Sequence, residues 1–566
     1  MIRKSVYQQV SSLRVFALSL TALLLSGSGV IAGSAGSQVS GSPAASSIRA
    51  GDGQQLSAKG AGSGAQRAGA PSPHREGSQV NAMIAARFLE QSSWGPTADS
   101  IAQVQTAGLQ SFLQQQFSAP ISTYDLNPAS LTSVQNQFFA NAIQGPDQLR
   151  QRVSFALSEI IVISGVGPNI KSPTAFPLWM NMLQNDAFGN FFTLLNDVTL
   201  SPSMGSYLNM AENNGCATKC RPNENYGREI LQLFSIGLYQ LNIDGTPKLD
   251  QNSNLIPTYD QSTISGFGQV FTGWSYPTTQ VPPPFFEPHP IYTGPMIAFP
   301  KHYSAASKIL LNGTTLPAKG NIQSDLTAAL QNIFTHPNVA PFISEQLIQK
   351  LVTSNPTPAY VARVAQVFND NGSGVAGDLQ AVVSAILLDP EARRGDDPTQ
   401  ILPSDGHLRE PLLHMLAAMR AVNATTGGTN LNNYANTMAQ SPFLSPSVFN
   451  YYPPNYQVQG TPLLGPEFKI LNANTTVSRI NFVNDLIYGS VGSDTKIDIS
   501  PYVAAAGNVS DLLALVNTNL MHGQMPSDMD STLSTTLSSL AFTDNTSRAQ
   551  AALYLVLTSS QFQMEH

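Results

Sequence analysis

Pro222-Asn223-Glu224-Asn225-Tyr226-Gly227-Arg228-Glu229-Ile230-Leu231-Gln232-Leu233-Phe234-Ser235-Ile236-Gly237 is the densest run of functional polar groups in this chain. Pro222 suits a first helical turn and Gly237 an exit, with Asn223 or Asn225 as cap. Placed at about 100° per residue, Glu224, Asn225, Arg228, Glu229, Gln232 and Ser235 share a sector of about 140°. Tyr226, Ile230, Leu233, Phe234 and Leu238 fill the other side. Two carboxylates beside a guanidinium can divide acid and base roles when their environments differ, which is the chemistry of a hydrolase. Glu224 and Arg228 also fit an ordinary surface pair at i,i+4. The face has no Lys, and Arg, Asn and Gln make fixed, directional hydrogen bonds. That composition favours a buried network with Arg228 as its hub, reaching Glu224, Gln232 and Glu229.

Other candidates lie outside this run. His302 and Glu410 join Glu224, Arg228 and Glu229 as candidate catalytic groups. A lone His is more often structural, and a Glu at a helix start is explained by the helix dipole. Arg150 and Arg152, on a strongly periodic helix over 147–162, are expected at the surface. Residues 436–472 are rich in Pro, Tyr and Phe with little charge. Tyr451, Tyr452 and Tyr456 suit a platform for a glycan or an extended peptide, although a rigid loop packed across helices is the favoured reading. Asn225, Gln232 and Trp274 complete the candidate binding residues. The chain has no Gly-x-Ser-x-Gly elbow, no His-Glu-x-x-His and no phosphate-binding loop. Cys216 and Cys220 are the only cysteines. In an exported chain they are expected to pair, closing a loop too short for a large entropic gain. Two thiolates alone do not complete a zinc shell, so neither a metal nor a cofactor is expected.

These residues must be positioned by helices. The 566-residue chain is 42% hydrophobic and only 11% charged, well under the roughly 25% charge of an ordinary soluble domain. Arg3, Lys4 and Arg14 border an apolar segment, 15–25, of secretory rather than membrane-spanning length, and Val30-Ile31-Ala32 offers small residues for cleavage. Residues 1–32 therefore read as a signal peptide. Losing its three cations takes the formal net charge from −7 to −10, which disfavours nucleic acid as a partner. Residues 33–80, mostly Gly, Ala and Ser, read as a flexible linker. From 81 to 566, recurrent apolar spacing predicts a mainly α, large multi-helix globular domain with long Pro- and aromatic-rich loops and little strand. It forms one lobe, or two divided near 275–320. No later segment is long and apolar enough for a stable membrane span.

Several blocks carry a family resemblance. Besides the run at 222–237 they are Arg87-Phe88-Leu89 with Trp94-Gly95-Pro96-Thr97, Phe188-Gly189-Asn190-Phe191, Pro202-Ser203-Met204-Gly205-Ser206-Tyr207-Leu208, and Phe271-Thr272-Gly273-Trp274. Further on come His336-Pro337-Asn338-Val339-Ala340-Pro341-Phe342, Leu351-Val352-Thr353-Ser354-Asn355-Pro356, Arg409-Glu410-Pro411, and Ser447-Val448-Phe449-Asn450-Tyr451-Tyr452-Pro453-Pro454. In this order, across roughly residues 80 to 565, they resemble the bacterial domain-of-unknown-function family 1800. The departure is Gly227, where the family pattern has Ala. The resemblance implies export, and genes beside those of another uncharacterised secreted family. It implies no activity, substrate or catalytic residue.

Two functions from different classes fit. The first is a periplasmic or extracellular binding or assembly protein, presenting a groove to another exported protein or a glycan. The second is an extracytoplasmic hydrolase using the carboxylates of the central helix.

Overall fold

Helix starts here are set by small polar side chains. Asn81 accepts from Ile84 N to open Ala82–Ser92. Reciprocal capping boxes open Ala98–Ala107 (Thr97 with Ser100), Leu131–Gln144 (Ser130 with Ser133) and Ala473–Tyr488 (Asn472 with Thr475). A hydroxyl stands at N3 in all three, where Glu or Gln is more usual. The latter two helices are not anticipated by apolar spacing.

The computed structural model describes residues 80–215 and 221–565. Among them are 22 α-helices and three two-stranded antiparallel pairs, each strand two residues long, so the fold is mainly α. Val80–His566 forms a compact unit of its own. Its hydrophobic core draws side chains from Ala85 to Phe562 and takes residues from both sides of 275–320. No helix among the described residues is long and apolar enough to cross a membrane.

Five helices and one strand pair position the residues of interest. Gln148–Ile160 packs on Val339–Leu351, and Asn225–Gln232 packs on Gln261–Val270. Pro411–Ala421 is buried along its whole length. It follows the strand His407–Leu408, which pairs with Met564–Glu565 and sets His407 opposite Glu565.

The central helix is shorter than expected, running Asn225–Gln232. Its Gly227 has a packing reason. A Cβ there would stand 3.0 Å from the backbone N of Gly268, so the glycine lets two helix backbones close on one another. Arg150 and Arg152 are not at the surface: they are 8% and 0% exposed. Each guanidinium donates to backbone carbonyls instead of solvent, Arg150 to Gln184 O (2.7 Å) and Phe117 O (3.0 Å), and Arg152 to Lys350 O (2.6 Å).

Candidate functional site

The buried polar network exists, but Arg228 is not its hub. Glu410 occupies the N-cap of Pro411–Ala421 and is 3% exposed. It makes no capping bond to its own helix. Its carboxyl instead accepts from the Gln440 amide and the Tyr452 hydroxyl. Gln440 Oε1 accepts from Leu412 N at 3.0 Å, so one amide serves both the helix start and the carboxyl. The Tyr452 hydroxyl also lies 3.3 Å from Glu159 Oε1, which accepts from Asn450 Nδ2 at 2.7 Å. Lys350 Nζ stands 3.4 Å from Glu159 Oε2 and 4.6 Å from the centre of the Tyr452 ring.

Burial, then the Glu159 carboxylate, pushes Glu410 well above the ordinary carboxyl range, and Lys350, the Tyr452 hydrogen bond and Arg152 oppose that only in part. Two carboxyls bridged by one phenol resist ionising together. Burial alone would lower His407, yet Glu565 and Glu467, 3.3 and 3.7 Å away, raise it and hold it protonated. Arg409 and His522 both pair with Glu90, beside a second cleft of about 440 Å³.

In front of this network lies a cleft of about 410 Å³. Its size falls in the range of small-ligand pockets. Four segments build it: the end of Gln148–Ile160 with Glu159 and Ile160, the exit of the central helix with Gln232, Leu233 and Gly237, the helix Val339–Leu351, and the aromatic loop with Phe449, Tyr452, Pro453 and Pro454. The helix exit is tight. Phe234 N donates to Glu229 O, and both Ile236 N and Gly237 N donate to Leu231 O. Gly237 then turns the chain at φ +71°, and a Cβ there would meet the Phe342 ring at 2.8 Å. Glycine is required twice over, by the left-handed backbone and by the ring. The turn leaves Leu238 and Tyr239 on the rim, 47% and 42% exposed, opposite Phe449 at 45%.

Phe342, Glu345, Gln346, Gln349 and Lys350 line the cleft from one helix face, at i, i+3, i+4, i+7 and i+8. Burial pushes Glu345 up to about 7. No described residue hydrogen-bonds or ion-pairs with its carboxylate. A carboxyl near neutrality in a cleft is poised to exchange a proton or meet a cation.

The anticipated residues divide. Gln232 and Tyr452 line the cleft, with Glu410 directly behind the Tyr452 hydroxyl. Tyr451 donates to Ser441 O, and half-buried Tyr456 has the Lys469 ammonium 5.5 Å from its ring centre. Trp274 is 1% exposed in a strand pair with Ile297–Ala298. Asn225 sits at the start of the central helix, where its backbone N donates to Asn223 Oδ1 at 2.9 Å. His302 stacks on Phe285 with centroids 3.8 Å apart and planes 8° from parallel.

Glu224 and Arg228 form an i,i+4 pair at 3.7 Å with side chains 31% and 41% exposed, which overturns the expected buried hub. The reason is a tertiary contact: Glu224 is already engaged by Ser265 Oγ at 2.6 Å and Gln261 Nε2 at 2.8 Å. Glu229 is 8% exposed and raised by burial, with Arg228 pulling the other way. Neither Glu224, Glu229 nor His302 lines the cleft. Cys216 and Cys220 lie outside the described residues.

Sequence reasoning missed Glu159, Glu345, Phe342, Lys350, Phe449 and Asn450 as site residues. Phe342, Phe449 and Asn450 stand inside blocks that carry the family resemblance. The helical stripe from Phe342 to Lys350 is a periodic signal that apolar spacing alone obscures.

The fold and this site define a helical protein with a ligand-sized cleft set over a buried carboxyl network. The chain belongs to the family described as protein of unknown function (DUF1800), whose model matches residues 87–564. Among curated proteins and solved structures nothing matches it.

Proposed function

We propose that this is an exported binding or assembly protein of the cell envelope or extracellular space, and that it engages its partner through the cleft between the central helix and the aromatic loop. The single observation that carries the reading is the cleft's construction. Exposed Leu238, Tyr239 and Phe449 rim a cavity whose inner wall presents a few fixed polar groups. Apolar walls with sparse polar groups are the usual make-up of a binding pocket. Export is supported by the basic, apolar and small-residue pattern of residues 1–32, which places the mature start near Gly33. N-terminal sequencing of the secreted or periplasmic form checks that start, and an intact Met1 contradicts it.

The binding reading is tested by capturing partners from envelope extracts with the wild-type chain and with Phe449→Asp. A partner held by the wild type and lost by the variant, at unchanged melting temperature, supports the cleft. Equal capture by both moves the interface elsewhere.

A hydrolase is the second reading, favoured by the near-neutral carboxyl of Glu345 in the same cleft. Its working carboxylate is then Glu345, because Glu224 is held by Gln261 and Ser265 on the helix surface. Turnover of an envelope polymer that disappears in Glu345→Gln without loss of folding would establish it.

A further inference from the structure

The cleft contains one charge that nothing in the fold answers. Glu159 is committed to Lys350 and Asn450, and Glu410 to Tyr452 and Gln440. Glu345 alone has no partner among the described residues, yet it lines the cavity with Phe342 one turn before it on the same helix. Leu238, Val448, Phe449 and two prolines are among its apolar lining. A carboxylate beside apolar walls loses hydration when the cleft is covered, so the covering ligand must bring a cation or a donor to it. The formal net charge, −7 for the full chain and −10 without Arg3, Lys4 and Arg14, gives a field of the same sign, which favours a basic partner. The Glu345 carboxyl lies against the turn at Gly245, and the many apolar residues of the cleft suit aliphatic or aromatic side chains better than a ring of hydroxyls. Lys and Arg join both demands in one side chain, an apolar stem ending in a cation.

We propose that the cleft receives an extended segment of another protein, with a Lys or Arg head group on the Glu345 carboxylate and a neighbouring apolar side chain against Phe342 and Phe449. This rests on reading the cleft as the binding site, and it names what the cleft selects. The segment lies between the helix face Phe342–Glu345–Gln349 and the loop from Phe449 to Pro454. Gln232 is placed to meet its backbone, as a side-chain amide offers both donors and an acceptor.

The test uses the full mature chain against a positional-scanning library of acetylated, amidated octapeptides. The wild type should enrich Lys or Arg over Gln at one position by about tenfold, with Leu, Ile or Phe beside it. Glu345→Gln should abolish the basic preference and keep the apolar one, and Glu345→Lys should turn the preference to Asp and Glu. Unchanged melting temperatures of both variants show that folding is not the cause. A wild type that enriches peptides without favouring a cation, or a Glu345→Gln variant that still favours it, overturns the proposal while leaving the cleft as the binding site. Glucosamine oligomers bound in the cleft in place of every peptide overturn the choice of partner. Failure of peptides and oligomers alike to bind the wild type counts against the cleft reading itself.

Discussion

At the scale of the residue, the site depends on where carboxyls are buried and what answers them. Glu410 and Glu345 are both raised chiefly by burial, and Glu410 further by the Glu159 carboxylate. Glu410 is enclosed and faces Glu159 across a shared tyrosine hydroxyl, whereas Glu345 is desolvated by apolar neighbours in an open cleft. A carboxyl raised in the folded state binds a proton that the unfolded chain has already lost. Its favourable contribution is therefore complete below the unfolded carboxyl value of 4.5 and is lost as pH climbs towards the raised folded value. The melting temperature of Glu410→Gln, relative to wild type, should accordingly rise as pH increases from about 5 to about 9. A pH-independent difference in thermal scans would show that Glu410 is ionised throughout. Binding of a basic peptide should strengthen about tenfold between about pH 6 and pH 8 as Glu345 ionises. Glu159, Lys350, Tyr239 and Tyr452 also line the cleft, so the same titration of Glu345→Gln, which should be flat, assigns the effect.

At the scale of the element, two arginines on two helices make opposite predictions. Arg152 on Gln148–Ile160 is fully buried, and its guanidinium fastens that helix to Lys350 O at the cleft floor. Arg228 on the central helix is solvated, with a single 3.7 Å ion-pair partner. Arg152→Ala should cost about 1.5–3 kcal/mol by chemical denaturation, since it removes a charged donor from a buried carbonyl, and Arg228→Ala about 0–1 kcal/mol. The reverse order would return the central helix to the role of structural hub. The amphipathic sequence of that helix was readable, but which of its faces meets solvent was not. That is decided by Ser265 and Gln261 on a helix some forty residues away, and local spacing carries no information on such a contact. Gly227 is the same lesson in reverse. A glycine that weakens an isolated helix allows the close approach of Gly268 in the folded chain. The helices Leu131–Gln144 and Ala473–Tyr488 escaped notice because their starts are signalled by Ser and Thr at N3 and their faces are diluted by Asn, Thr and Ser.

At the scale of the whole molecule, the mainly α fold and the family were legible, since periodic apolar spacing and ordered blocks run through most of the chain. The cleft was legible only in pieces. Gln232 lies about 180 residues from Glu410 and 220 from Tyr452, and Glu410 and Tyr452 are themselves 42 residues apart. One core joins the described residues from Ala85 to Phe562, so calorimetry should find a single cooperative unfolding transition, whereas two separable transitions would divide the unit into lobes. The proposed partner site is the cleft rather than the polar face of the central helix. It is tested most directly by placing a photo-crosslinking amino acid at position 449 or at position 228 in the exporting cell. A discrete adduct is expected from position 449, suppressed by Glu345→Lys, and none from position 228. An adduct from position 228 with none from position 449 would contradict it.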